Sequence, residues 1–563
     1  MNAPLTDTRV PPAQRFEALQ RRVQAGELPS LDEIVPLTRA ADLSLRGLSK
    51  RLLAHTMIRQ AQRTAGHLLC EACDDLRFSA PLVLQEALSA NYQAGQWDNL
   101  SALSLRAAEQ ATRAGDAVQA LVHLQNAVAA DVRHGSRAVN DPRLLRRIVP
   151  AYRAAAELAR RSVVVPPVER GRRRCGPNER LRVAHVVCQI IDGGHAPSRS
   201  IEATLRHTDR AVFDLLLCVT ESLVRHERHT DQLFVSEPSA VRGAGRLAAF
   251  ERDFGIPVLR PRTRASFVAA AADLHAQLAE REVDVAFFHG SLATPVDWLL
   301  CAWQAAPWQL DAGFGVPLHC PAVDFQFFEF EDTLEQLACL CREAGVPYGP
   351  KPTGADLSHV EQAAPFSRRE LRVPAGHILL GTLGNHLEQR LSPAFCAAVA
   401  EVLRQRPETS YVVAGPGGFA QQRAAFGELC AGAGARVRFV GPTREAGRMT
   451  QSFDIYLNPF PDGGGYTLGD AMAASKPVVS IQMGASTYAL AARVWLGAEN
   501  LVEPATGAAY QERLRALIDG PAARRELGAR LHQRYRDRFD IRRCVQTVNE
   551  RILAVVHGSA AGA

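Results

Sequence analysis

Three consecutive glycines, Gly463, Gly464 and Gly465, lie between an apolar run ending at Asn458 and a helical stretch opened by Tyr466 and Thr467. Glycine lets backbone approach a ligand closely, and the amides and positive dipole end of a starting helix attract anions. Asp470 falls one turn into that helix, where its carboxylate can accept hydrogen bonds from ribose hydroxyls. Pro477 stops the helix and Val478-Val479 begin the next extended run. Arg390, in the segment Asn385–Pro393, offers a guanidinium that grips phosphate oxygens in a bidentate way. His195 sits in the loop Ile190–Ser200 after another apolar run. An unperturbed imidazole titrates near pH 6.5, which suits general-base work.

These groups need scaffolding, and the hydrophobic pattern supplies it. Residues 1–13 carry three prolines and no periodicity and read as a disordered tail. From 14 to 162 the pattern is helical, with a capping box at Ser30-Leu31-Asp32-Glu33 and apolar spacing at Val118, Leu121, Leu124 and Val128. Gly95 and Gly115 mark helix–helix turns. They resemble tetratricopeptide repeats, but their 20-residue spacing is not the 34 of that repeat, so a generic all-α domain is expected. A Pro- and Gly-rich linker spans 163–178.

Short apolar runs then alternate with helices, the signature of parallel α/β architecture. The expected strands are 181–188, 213–218, 256–259, 283–288 and 309–314 in a Rossmann-like unit of 179–375. A second such unit, 376–556, has strands at 378–382, 411–414, 437–440, 455–458 and 478–481 and closes with helices; a disordered tail of 557–563 follows. Ligands of open α/β sheets bind beyond the strands' carboxyl ends, where all three groups fall.

The segment Asn458–Ser480 resembles the donor-binding motif of GT-B nucleotide-sugar glycosyltransferases. Within them it looks most like the O-GlcNAc transferase/SPINDLY family, whose Thr and Asp match Thr467 and Asp470; Gly465 stands where that family commonly has a His. Asn385–Pro393 is similar to the family's "N-x-L … K-x-x-P" segment, with one extra residue and Arg390 for the Lys that meets the departing diphosphate. Asp192–Arg199 resembles its "D-x-x-x-H-P-x-x-H" loop, with His195 as the acceptor-side His and the second His absent. Ala305–Gly315 resembles an "A-P-I-Q-V … G" strand, and Val440–Arg444 sits where the uracil-contacting loop belongs. Bacterial high-molecular-weight adhesin glycosyltransferases, which modify Asn, are similar too.

The resemblance implies a GT-B fold, two Rossmann-like domains facing a cleft, behind the all-α domain. It implies transfer of a hexose or N-acetylhexosamine (GlcNAc or Glc) from a UDP-sugar to a protein Ser/Thr or Asn, with inversion. His195 and Arg390 would be catalytic. Asn385, Gln389, Arg390, Pro442, Thr443, Gly464, Gly465, Tyr466, Thr467 and Asp470 would bind the nucleotide sugar. No Asp-x-Asp lies at a strand end, so neither a metal nor another cofactor is expected. By analogy the acceptor is a flagellin or surface adhesin; a homo-oligomer is left open. Two readings compete. Asp462 and Asp470 are separated by seven residues, the spacing of the paired acids, usually both Glu, in retaining GT-B enzymes of glycans and lipids, and a UDP-binding scaffold without turnover would share the nucleotide site.

Composition narrows the field. The 563 residues are 47% hydrophobic and 22% charged, as in soluble globular proteins. The net charge of +6 comes almost entirely from arginine, since Lys50, Lys351 and Lys476 are the only lysines. With acidic residues interspersed and only Arg170–Arg174 densely basic, no nucleic-acid face is expected. No apolar run is long enough to span a membrane, and the N-terminus lacks signal-peptide regions, which suggests a cytoplasmic protein of bacterial type. Cys70-Glu71-Ala72-Cys73 reads as buried helix rather than zinc site. Gly243–Ala248 fits a GxGxxA dinucleotide pattern without a preceding strand and is set aside. His289 and His319 are reserve acceptor-side candidates.

Overall fold

The computed structural model describes residues 11–24, 30–58, 62–133, 142–174, 179–227, 229, 231–289, 292–313, 320–328, 331–430, 436–483 and 487–558. The first region is helical from Pro12, inside the stretch read as a tail, to Arg160. The capping box forms: the Ser30 amide donates to Glu33 Oε2 at 2.7 Å. Gly95 and Gly115 turn the chain between the helices Pro81–Gln93, Trp97–Arg113 and Ala117–Arg133, with φ of +66° and +80°. Only glycine adopts such angles without strain.

Among the described residues twelve strands follow: β1 (Leu181–Val187), β2 (Phe213–Val219), β3 (Val258–Leu259), β4 (Val285–Phe288), β5 (Trp308–Asp311), β6 (Phe325–Phe328), β7 (Tyr348–Pro350), β8 (Ile378–Leu383), β9 (Thr409–Ala414), β10 (Val437–Gly441), β11 (Ile455–Leu457) and β12 (Val478–Val479). They build two parallel sheets, ordered β3-β2-β1-β4-β5-β6-β7 and β10-β9-β8-β11-β12. Helices cover both faces, which is why β1, β2 and β9 read as nearly unbroken apolar runs. Two Rossmann-like domains behind a helix-rich region constitute the GT-B architecture expected. β6 and β7 were not anticipated. β7 ends in Pro350 at the sheet edge, the one place where a missing amide costs no ladder bond.

The helical region is not a detachable module. Its Leu121, Leu124 and Tyr152 share one core with Ala184, Phe288 and Trp298 of the first sheet domain. Tyr152 packs against Trp298 with ring centroids 4.9 Å apart and planes tilted by 40°, and it donates its hydroxyl hydrogen to the Ala293 carbonyl at 2.6 Å. Asn126 bonds both the Asp231 carbonyl and the Leu233 amide. A fragment starting at residue 163 is therefore expected to aggregate, because it would bare this apolar face. A soluble 163–563 fragment with a native-like melt would contradict the shared core.

Chain order and spatial order also diverge at the other end. The last helix, Ile541–Val556, packs Val548, Ile552 and Val555 into the first sheet's core, although sequence position assigned it to the second unit. The basic run is neutralised locally. Arg170 pairs with Asp324 at 2.7 Å, Arg172 pairs with Glu169, and the Arg174 amide donates to Asp284. Cys70 and Cys73 are buried, and burial pushes the Cys70 thiol up to about 11, away from thiolate chemistry. Among the described residues no helix is long and apolar enough to cross a membrane.

Candidate active site

Both sheets direct strand carboxyl ends into one cleft of about 1070 Å³. The loops after β8, β9, β10 and β11 form one wall. The loops after β1 and β2 form the other, and Tyr92 and Val132 of the helical region close one side. Ten of the eleven expected site residues line it: His195, Asn385, Gln389, Arg390, Pro442, Thr443, Gly465, Tyr466, Thr467 and Asp470. Gly464 does not.

Gly464 has a different task from the one expected. Its amide donates to Oδ1 of Asn458 at 2.8 Å, so it is unavailable to a phosphate. Asn458 is buried at the end of β11, and its Nδ2 donates to Ser480 Oγ at 2.9 Å. A Cβ on Gly464 would lie 2.1 Å from Thr467 Oγ1, and one on Gly463 2.3 Å from Asn458 Nδ2. These two glycines fold the loop around Asn458, and the anion-facing backbone begins at Gly465, the N-cap of helix Tyr466–Ala473. Asn458 was overlooked because its role is held in a side chain that never faces the cleft. Asn458→Ala is expected to lower the melting temperature by several degrees, since it leaves the Gly464 amide without its acceptor and Ser480 Oγ without its donor; a thermal melt of the variant checks it.

Further along the same helix, the Asp470 side chain is 3% exposed and its Oδ1 has no hydrogen-bond partner. Thr467 Oγ1 is likewise buried without a well-formed bond, the nearby Tyr456 hydroxyl donating to Leu383 at 2.9 Å. Arg390 closes the one-turn helix Leu387–Arg390, whose N-cap His386 is left-handed at φ +57°. Ser392 caps the next helix through the Phe395 amide at 3.1 Å and donates to the Phe460 carbonyl at 2.7 Å. That bond ties the Arg390 loop to the glycine loop. Glu388 accepts from the Phe419 amide at 2.6 Å, which secures the loop after β9 as well. The donor wall is thus braced before any ligand arrives.

On the facing wall His195 caps helix Ala196–His207. Its Nδ1 lies 2.8 Å from Ser198 Oγ, which accepts from the Ile191 amide at 2.9 Å. Burial, then Arg242 and Arg246, push the imidazole down to about 4, well below the 6.5 of an unperturbed ring. Near neutral pH His195 is therefore an uncharged and weak base. Asp192 is engaged too, accepting from the amides of Gly245 and Arg246 at 3.0 and 2.8 Å. The GxGxxA stretch now has a structural use: a Cβ on Gly243 would fall 2.3 Å from the Ile190 carbonyl oxygen. Its glycines let the loop carrying His195 pack down.

The remaining candidates lie elsewhere. His289 is buried outside the cleft lining, its Nε2 2.8 Å from Nδ1 of His185. His319 lies outside the described residues. Among the described residues Asp462 does not line the cleft, whereas Asp192 and Glu388 line it with Asp470. Arg199, missed in the sequence, lies four residues beyond His195 and lines the cleft; that helical spacing was the available signal.

Residues 378–519 match the model of the family described as Glycosyl transferases group 1. This segment contains every candidate on the donor wall, and His195 lies outside it. No curated protein matches the sequence. Among solved structures, a mutant O-GlcNAc transferase of Thermobaculum terrenum is similar at 15% identity and a TM-score of 0.48, covering 98% of this chain and 99% of that one. Anabaena HepE in complex with UDP and glucose is similar at 16% identity and a TM-score of 0.47, covering 66% of this chain and 100% of that one. A glycosyltransferase from Rickettsia africae is similar at 10% identity and a TM-score of 0.49, covering 67% and 98%.

Proposed function

From a C-terminal unit that matches the group 1 glycosyl transferases, we propose that this chain transfers a hexose or N-acetylhexosamine from a UDP-sugar to a protein hydroxyl or amide, with inversion and without a metal. One observation carries the reading. A helix N-terminus, a buried carboxylate with an unmet oxygen and an arginine converge on one cleft from separate loops. The base would lie near Pro442 and Thr443, the ribose hydroxyls on Asp470, and the diphosphate between Arg390 and the amides from Gly465 onward.

The acceptor oxygen or nitrogen attacks the anomeric carbon as the bond to the diphosphate oxygen breaks. Charge then develops on the β-phosphate, where Arg390 and the helix end are already oriented, and preorganised electrostatics of this kind lower a barrier most. The acceptor proton passes toward His195. Burial is the first cause of His195's low basicity, and diphosphate in the cleft would offset only the smaller part that Arg242 and Arg246 contribute. The helical region, through Tyr92 and Val132, would contribute to the acceptor's entrance.

The test is a screen of UDP-GlcNAc, UDP-Glc, UDP-Gal and GDP-sugars with candidate acceptors, including flagellin and adhesin fragments, with and without EDTA. EDTA-resistant release of UDP and an inverted product from one donor is the expected result. A retained configuration would assign the chain to the glycan- or lipid-directed class instead. UDP binding with no turnover on any acceptor would favour a binding scaffold.

A further inference from the structure

We propose that Arg199 is a positioning residue that pairs with Asp470 across the cleft, gives the carboxylate up to a ribose hydroxyl when donor binds, and turns toward the departing diphosphate in the transition state. The proposal rests on the reading of Asp470 as the ribose contact.

Arg199 projects from the first sheet domain and Asp470 from the second, so their contact bridges the cleft. Nη2 of Arg199 lies 3.5 Å from Asp470 Oδ1, 3.2 Å from His359 Nε2 and 3.5 Å from the Asp356 carbonyl oxygen. One nitrogen thus serves three partners, two of them at the limit of hydrogen-bond reach. The charges are in contact, yet Oδ1 accepts no hydrogen bond although its side chain is almost wholly buried. A buried carboxylate oxygen in that condition favours any hydroxyl that can satisfy it. A ribose hydroxyl would do so at short range, and the loosely held guanidinium would yield. Arg199 already lines the cleft, so its cation is then free to meet the charge that builds on the leaving oxygen in the transition state.

Binding and turnover should therefore respond with opposite signs, which a merely structural ion pair would not produce. UDP titration by calorimetry and donor turnover would be measured on wild type, Arg199→Gln, Asp470→Asn and the double variant. Arg199→Gln is expected to bind UDP roughly two- to tenfold more tightly, the range of a partly buried ion pair removed as competitor. Its kcat should fall. In the Asp470→Asn background the gain in UDP affinity should vanish. Unchanged or weaker UDP binding by a well-folded Arg199→Gln would overturn the proposal; a lowered melting temperature in that variant shifts the comparison to Arg199→Lys, which should show the same sign at smaller size. If wild type binds no UDP, the reading of the site fails instead, and the proposal with it.

Discussion

Arg390→Ala is expected to lower kcat for the UDP-sugar by roughly 10²–10³ while the protein melts as wild type does, the range seen when one preorganised transition-state donor is removed. The residue ends a one-turn helix in a loop braced by bonds of Ser392 and Glu388 that the variant keeps. The loss should fall on kcat more than on UDP affinity, because charge on the departing diphosphate is greatest in the transition state. Arg390→Lys keeps the charge and loses the bidentate grip, so it should recover only part of the rate. Steady-state kinetics of both variants provide the check; an unchanged kcat would remove Arg390 from the chemistry.

The second large effect concerns stability in acid. His123 and His185 are buried, and burial pushes their imidazoles down to about 4 and about 3. His289, bonded to His185, is held well below its usual range by burial, by that neighbour and by Lys351. Unfolded imidazoles titrate near 6.5, so below that pH the unfolded chain binds protons that the folded chain refuses. Stability is then lost as pH falls through 6.5 and keeps falling until the folded values are reached. At pH 5 a single group such as His123 contributes a loss of about 2 kcal/mol. Several such groups make a steep fall in melting temperature between pH 7.5 and pH 5 the expected result. His123→Gln should soften that slope. Equal melting at both pH values would contradict the burial of these rings as neutral groups.

Much of the donor wall was legible because its chemistry is local in sequence. Strand end, glycines, helix start and Asp470 lie within one short stretch, and parallel strands buried on both faces announce themselves as apolar runs. What escaped depends on distant partners. Gly464 looked like a phosphate amide, but Asn458 consumes its hydrogen bond. His195 looked like a base near neutrality, but the fold buries it and, secondarily, sets Arg242 and Arg246 from a helix pair well downstream beside it. Arg199 gains meaning only from Asp470 across the cleft. The final helix follows the second unit in sequence and packs on the first, since its apolar stripe records that it is buried but not against what.

In the function proposed above, one preformed cleft holds a uridine diphosphate between Arg390, the helix start at Gly465 and the carboxylate of Asp470. Its most direct test is a calorimetric titration of UDP into the ligand-free protein in EDTA, with GDP and ADP as comparisons. Saturable one-to-one binding of UDP in preference to the other two, weakened by Asp470→Asn, is the result predicted. No heat of binding for UDP, or equal binding of all three unaffected by Asp470→Asn, would contradict it.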